Sequence, residues 1–161
     1  MNTYEMLLKE ADQEGVEVKE KKLKSENIKG LYGDKTIWIN HNLSWVEKGC
    51  VLAEEMGHYY TTYGDILDQN MVTNRKLEKL ARNWAFERLV SLEKIIQAYD
   101  FGAINCFEIA DFLNVTEQFL LNSLQYYKSK YGLYTSLGAY TIFFEPLSVF
   151  KSLDYKEVMP N

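Results

Sequence analysis

Glu54, Glu55 and His58 stand together in the stretch VLAEEMGHYYTTYG, residues 51–64, and their types and spacing suit the holding of a metal ion and the transfer of a proton. On a helix, residues four apart lie on one face a turn apart. Glu54 and His58 can therefore reach a single ion, while Glu55 points about 100° further round the axis toward the same cleft. Zinc accepts carboxylate oxygen as well as imidazole nitrogen, and its catalytic sites take three protein ligands and leave a fourth position open. Glu78, 20 residues after His58, is the candidate third ligand, across a loop and one turn into the next helix. Ala81 and Ala85 follow it at i+3 and i+7, small enough for two helices to pack where ligands must converge. Gly57, which costs about 1 kcal/mol inside a helix relative to Ala, is explained if another backbone approaches there.

The helix that must carry this trio is predicted from about Ser44, a good N-cap residue, to about Tyr60, with Leu43, Val46, Cys50, Leu52, Ala53 and Met56 as its apolar positions. A Glu-x-x-x-His pair also occurs on solvated faces. Here Val51, Leu52, Ala53 and Met56 surround the polar residues and leave little room for a purely exposed stripe. The stretch TTYGDILDQN that follows is polar and aperiodic and reads as a loop of ten residues. A second long helix is predicted over NRKLEKLARNWAFERLVSLEKIIQAY, residues 74–99. His41, the other histidine, sits in an NHN turn just before the motif helix. Its surface placement is the simpler reading, although geometry does not exclude it as a ligand. Tyr59, Tyr60 and Tyr63 cluster beside the motif, where they serve either aromatic packing or oxyanion stabilisation by a phenolic hydroxyl.

Ahead of these helices, residues 3–14 carry Tyr4, Leu7, Leu8 and Ala11 at helical spacing. Residues 16–23 and NIKGLYGDKTIWIN then alternate as strands, Gly33-Asp34 separating two β-rich runs, so that a small antiparallel sheet is expected to end near Asn40. The run KEKKLK, residues 19–24, reads as a solvated edge strand. Residues 107–131 hold two short helical patterns meeting near Asn114-Val115-Thr116, the spacing of a helix-turn-helix unit. The aromatic, β-branched stretch YTSLGAYTIFFEPLSVF adds a strand or hairpin bounded by Pro146, and Tyr134 to Phe150 is a docking region to the extent that its rings stay outside the core.

Composition excludes several classes. The chain has 161 residues, 47% of them apolar and 25% charged, which suits one compact domain with a core of its own. With 18 Lys and Arg against 23 Asp and Glu, the balance of −5 repels phosphate backbones in the absence of a local basic stripe. The second helix of the helix-turn-helix-like unit offers Glu117, Gln118, Asn122 and Gln125 and no basic residue before Lys128, so nucleic acid is not expected as a partner. No run of about 18 apolar residues appears and Met1 opens a charged amphipathic stretch, so the chain is expected to be soluble, off the membrane and cytoplasmic. Cys50 and Cys106 form neither a CxxC knuckle nor a disulfide framework and are expected to be buried.

GCVLAEEMGHYYTTYGD followed by LEKLARNWAFERLV resembles the ImmA/IrrE family of metallopeptidases, clearly so over residues 30–100. In that family the motif helix reads His-Glu-x-Gly-His after an apolar run, and a later Glu-x-x-Ala-x-x-x-Ala segment carries the glutamate ligand. By that resemblance Glu55 is the catalytic glutamate, and His58 and Glu78 are metal ligands. Glu54 occupies the place of the first histidine. The resemblance implies an α+β, zincin-like fold over residues 1–100, with two long metal-site helices, and a helix-turn-helix-like region and strands over residues 101–161. It also implies a Zn²⁺-dependent endopeptidase that cleaves or displaces a helical phage-type repressor protein. A Glu54, His58 and Glu78 set puts two anionic ligands on the ion, with Glu55 as a third carboxylate nearby, and makes the metal a poorer Lewis acid. The site then either works with a carboxylate ligand or survives as a non-catalytic repressor-binding module.

Overall fold

A computed structural model of the chain describes residues 1–61 and 71–153. The elements run α1 (Thr3–Gln13), β1 (Glu17–Lys21), β2 (Gly30–Gly33), β3 (Thr36–Asn40), α2 (Trp45–Thr61), α3 (Met71–Leu89), α4 (Leu92–Phe101), α5 (Cys106–Leu113), α6 (Glu117–Tyr131), β4 (Tyr134–Leu137), β5 (Tyr140–Phe144) and β6 (Leu147–Lys151). The class is α+β, with two small sheets packed against helices. No helix among the described residues is long and apolar enough to cross a membrane.

Polar side chains set the helix starts. Asn2 accepts from the Glu5 amide and Glu5 reaches back to the Asn2 amide, a capping box that opens α1. Ser44 and Glu47 make the same reciprocal pair at α2. Thr61, the first residue of the expected loop, is instead the last of α2; the rest of that stretch lies outside the described residues.

The first sheet is mixed, where the alternation predicted an antiparallel one. β2 pairs antiparallel with β3, but β1 pairs parallel with it, giving the order β1-β3-β2. Burial explains the choice. TIWIN supplies Ile37 and Ile39, both fully buried, and takes the centre, while the charged EVKEK and the glycine-rich GLYG take the edges. The β2–β3 turn is centred on Asp34 and Lys35, both at positive φ, one residue beyond the predicted Gly33-Asp34 and consistent with a two-residue hairpin of right-handed twist. Ile37 and Ile39 join Tyr4 and Leu7 of α1 and Leu52 and Met56 of α2 in one core.

The long second helix is two helices. α3 ends at Leu89, and Ser91 caps α4 by accepting from the Lys94 amide. Hydrophobic periodicity runs through this break because Leu89, Val90 and Ile95 are buried on both sides of it. α5 and α6 meet at Asn114, which is left-handed, and Thr116, which caps α6. The C-terminal stretch forms a three-stranded antiparallel sheet, β4-β5-β6. Its aromatic residues divide: Phe144 is buried with Ile142 and Val149 against Tyr127 of α6, whereas Tyr134, Phe143 and Phe150 form a row of exposed rings across the other face. Cys50 is buried as expected, but Cys106, at the first position of α5, is half-exposed; both thiols are free.

Candidate metal centre

α2 and α3 cross in direct backbone contact. A Cβ on Gly57 would collide with the carbonyl of Ala81, and Ala81 and Ala85 are fully buried. The glycine and the small residues therefore bring the two helices together at the level of the motif, as their spacing predicts. The crossing places His58 against Glu78, with Nε2 of one 3.3 Å from Oε1 of the other.

A cleft of about 1320 Å³ opens beside this pair. One wall is α2, through Glu54, Glu55, His58 and Tyr59, and a second is the β2–β3 hairpin, residues 30–35. Glu78 and Arg82 of α3 and Phe119 and Asn122 of α6 complete it. All four candidate residues, Glu54, Glu55, His58 and Glu78, thus line one cleft. Half-burial against β2 and the neighbouring negative charges of Glu54 and Glu78 push the Glu55 carboxyl up to about 8. Burial also raises Glu54 above the usual carboxylate range; the guanidinium of Arg82 opposes that rise and Glu78 reinforces it.

The tyrosines separate by role. Tyr60 donates to Glu10, Arg88 donates to the same carboxylate, and the Tyr60 ring stacks on Trp84, so it ties α1, α2 and α3 together and takes no part in the cleft. Tyr59 lines the cleft, but its hydroxyl donates to Glu14. Tyr63 lies outside the described residues. His41 is exposed in the turn after β3 and is not among the residues that line the cleft.

A divalent cation fits the chemistry of His58 and Glu78, an imidazole nitrogen and a carboxylate oxygen held together by a tight helix crossing. Among the described residues no three of His, Cys, Asp and Glu gather into one ligand group, and Glu54 faces the cleft under the influence of Arg82. Two contributors went unremarked in the sequence. Gly30 lets β2 approach Glu55 without a side chain between them. Arg82 repeats the spacing of Arg75 and Lys79 along α3, a basic stripe in NRKLEKLARN that the net negative charge conceals.

Neither curated proteins nor solved structures give a match to the chain. The family model Peptidase_M78, described as the IrrE N-terminal-like domain, matches residues 11–125, a span that takes in the end of α1, the first sheet, the cleft helices and most of α6 and extends beyond residues 30–100 on both sides. With the cleft built from α2, α3 and β2, and with His58 and Glu78 joined across the Gly57–Ala81 crossing, that match places the chain in the ImmA/IrrE family of metallopeptidases.

Proposed function

We propose that the chain is a metal-dependent endopeptidase, with Zn²⁺ held by Glu54, His58 and Glu78. The supporting observation is the contact of His58 with Glu78 in a cleft that also holds Glu55 against β2. Bound there, the ion would supply Lewis acidity to a water and to a peptide carbonyl. Glu55 would accept a proton from the water at its carboxylate and deliver it to the leaving amine. The β2 edge at Gly30 lies against that carboxyl.

In this reading the core is zincin-like over residues 1–100, and residues 101–161 hold a helix-turn-helix-like unit, α5 and α6, with the terminal sheet, serving packing or protein recognition. The substrate is a helical repressor protein of a phage or another mobile element, met in the cytoplasm, and no DNA is bound by the chain alone. A second reading, repressor capture without hydrolysis, is favoured by one observation: Glu54 stands where the family has histidine, and Arg82 acts on it.

Incubation with the repressor encoded beside the gene separates the two. Wild type with zinc should cut it at one bond, chelator should stop the cut, and Glu55→Gln should bind metal and repressor without cutting. Cleavage by Glu55→Gln at the wild-type rate removes Glu55 from the chemistry and ends the catalytic assignment.

A further inference from the structure

Arg75, Lys79 and Arg82 follow one another at i, i+4 and i+7 of α3 and so share one face of the helix. They line a groove of about 850 Å³ between α3 and α6, and Glu54, Glu78 and Arg82 border this groove and the metal-centre cleft alike, so that one runs into the other. The opposite wall, on α6, is neutral: Asn122, Gln125, Tyr126 and Ser129. Nearby Glu87 is already taken up by Tyr126 and Lys130. Among the described residues Arg75, Lys79 and Arg82 enter no ion pair, and all three are exposed. In a chain of net charge −5, three aligned cations without an ion pair among the described residues mark a place for a negatively charged ligand.

We propose that this groove takes an acidic stretch of polypeptide, holding Asp and Glu side chains along α3 and main-chain amides along α6, and so selects which chain is presented to the metal centre. Selection of the chain presented to the metal centre rests on the peptidase reading; the ligand class rests on the groove itself. Gln125 offers amide donors and a carbonyl acceptor, and Asn122, whose carbonyl accepts from Gln118, offers its amide donors, which together complement a peptide backbone. From Arg75 to Arg82 the helix rises roughly 10 Å, which an extended chain covers in about three residues. A phosphate backbone fits less well, because a single row of three cations offers few phosphate contacts. Exposed pairs of this kind are individually weak and screened by salt, so selectivity comes from engaging several at once.

Fluorescence anisotropy of the full chain in chelator tests this without any catalysis. The probes are a fluorescein-labelled peptide carrying a run of Asp and Glu and its Asn/Gln counterpart. The acidic peptide should bind about tenfold more tightly at low salt, the preference should shrink at high salt, and Arg75→Gln with Lys79→Gln should remove it. Lys151→Gln, on the distant β6, should leave it intact. Equal affinity for the two peptides, or a preference that survives the double substitution, overturns the proposal. So does a single-stranded oligonucleotide that binds more tightly than the acidic peptide and loses its affinity in the same double variant. Because binding is read without metal, a failed cleavage assay leaves this result standing, and a failed peptide preference leaves the Glu55 test standing.

Discussion

The carboxylate of Glu55 lies against Gly30 of β2: a Cβ at position 30 would stand 3.0 Å from Oε1 of Glu55 and 2.6 Å from Cγ1 of Val51. The strand edge and the proposed proton carrier are thus in contact only because residue 30 has no side chain. Gly57 has the same relation to Ala81, but there the obstacle is a backbone carbonyl, which cannot rotate away. Gly30→Ala should therefore cost about 1–2 kcal/mol, as overpacking against side chains that can shift, and should lower activity by displacing Glu55. Gly57→Ala must separate two helices and should cost more, about 3 kcal/mol or above. Urea midpoints of the two variants check the order; a Gly57→Ala protein as stable as Gly30→Ala would mean the α2–α3 crossing is looser than its backbone contact implies.

Glu55 also predicts how the metal-free protein responds to pH. Burial, then the charges of Glu54 and Glu78, raise its carboxyl from 4.5 in the unfolded chain to about 8 in the folded one. A proton held more tightly by the folded state stabilises it. That contribution is complete below pH 4.5 and is lost as the pH rises through about 8. Glu54 shifts in the same direction. Glu20, Glu47 and Glu87 are lowered, so they are ionised in both states across this window and do not offset it. In chelator the urea midpoint should fall steadily from pH 5 to pH 8, and Glu55→Gln should flatten the fall. A midpoint that rises over the same range would contradict the burial of Glu55.

Much of this arrangement is legible in the sequence because local signals and tertiary demands agree. Gly57, Ala81 and Ala85 are small for one reason, the helix crossing, and the shared face of Glu54 and His58 follows from helix geometry alone, while Glu78 reaches them through that crossing. Other features have no local signature. The parallel pairing of β1 with β3 depends on which strand is apolar enough to sit in the centre, a comparison between strands that alternation within a strand does not make. The break after Leu89 is hidden because apolar periodicity continues through it, and Ser91 acts as a cap only once Val90 leaves the helix. Net charge, summed over the chain, masks Arg75, Lys79 and Arg82, whose meaning depends on the neutral wall that α6 sets opposite them.

Glu54→His should test whether position 54 belongs to the ion. The side chain lies one turn before His58 on α2 and lines the same cleft. Exchanging a carboxylate for imidazole removes one negative charge from a site that already holds Glu55 and Glu78, and supplies a good zinc ligand at i, i+4. Zinc affinity should rise by about tenfold or more in calorimetry, with Arg82 left to Glu78 and solvent. An unchanged affinity would put Glu54 outside the ligand set and assign it instead to Arg82.

The α3–α4 break offers a test of the scaffold away from the chemistry. Where α3 ends, its last carbonyls lose their helical partners and need others. Lys94 Nζ donates to the carbonyl of Arg88, and the hydroxyl of Tyr127, only 2% exposed, donates to that of Val90 at 2.7 Å. Tyr127 therefore holds the end of α3 to α6, and through α3 it supports Glu78. Tyr127→Phe removes the donor and leaves the Val90 carbonyl unsatisfied where water does not reach, which should cost about 1–3 kcal/mol and lower the Tm by roughly 5 °C. Ser91→Ala removes only an N-cap and should cost about 1 kcal/mol. The two effects should combine to less than their sum if the tyrosine and the cap stabilise the same break, because losing one already loosens the geometry the other needs. Thermal unfolding of the two single variants and the double decides it: a Tyr127→Phe protein that melts with wild type would show that the Val90 carbonyl finds another partner and that the break does not depend on α6.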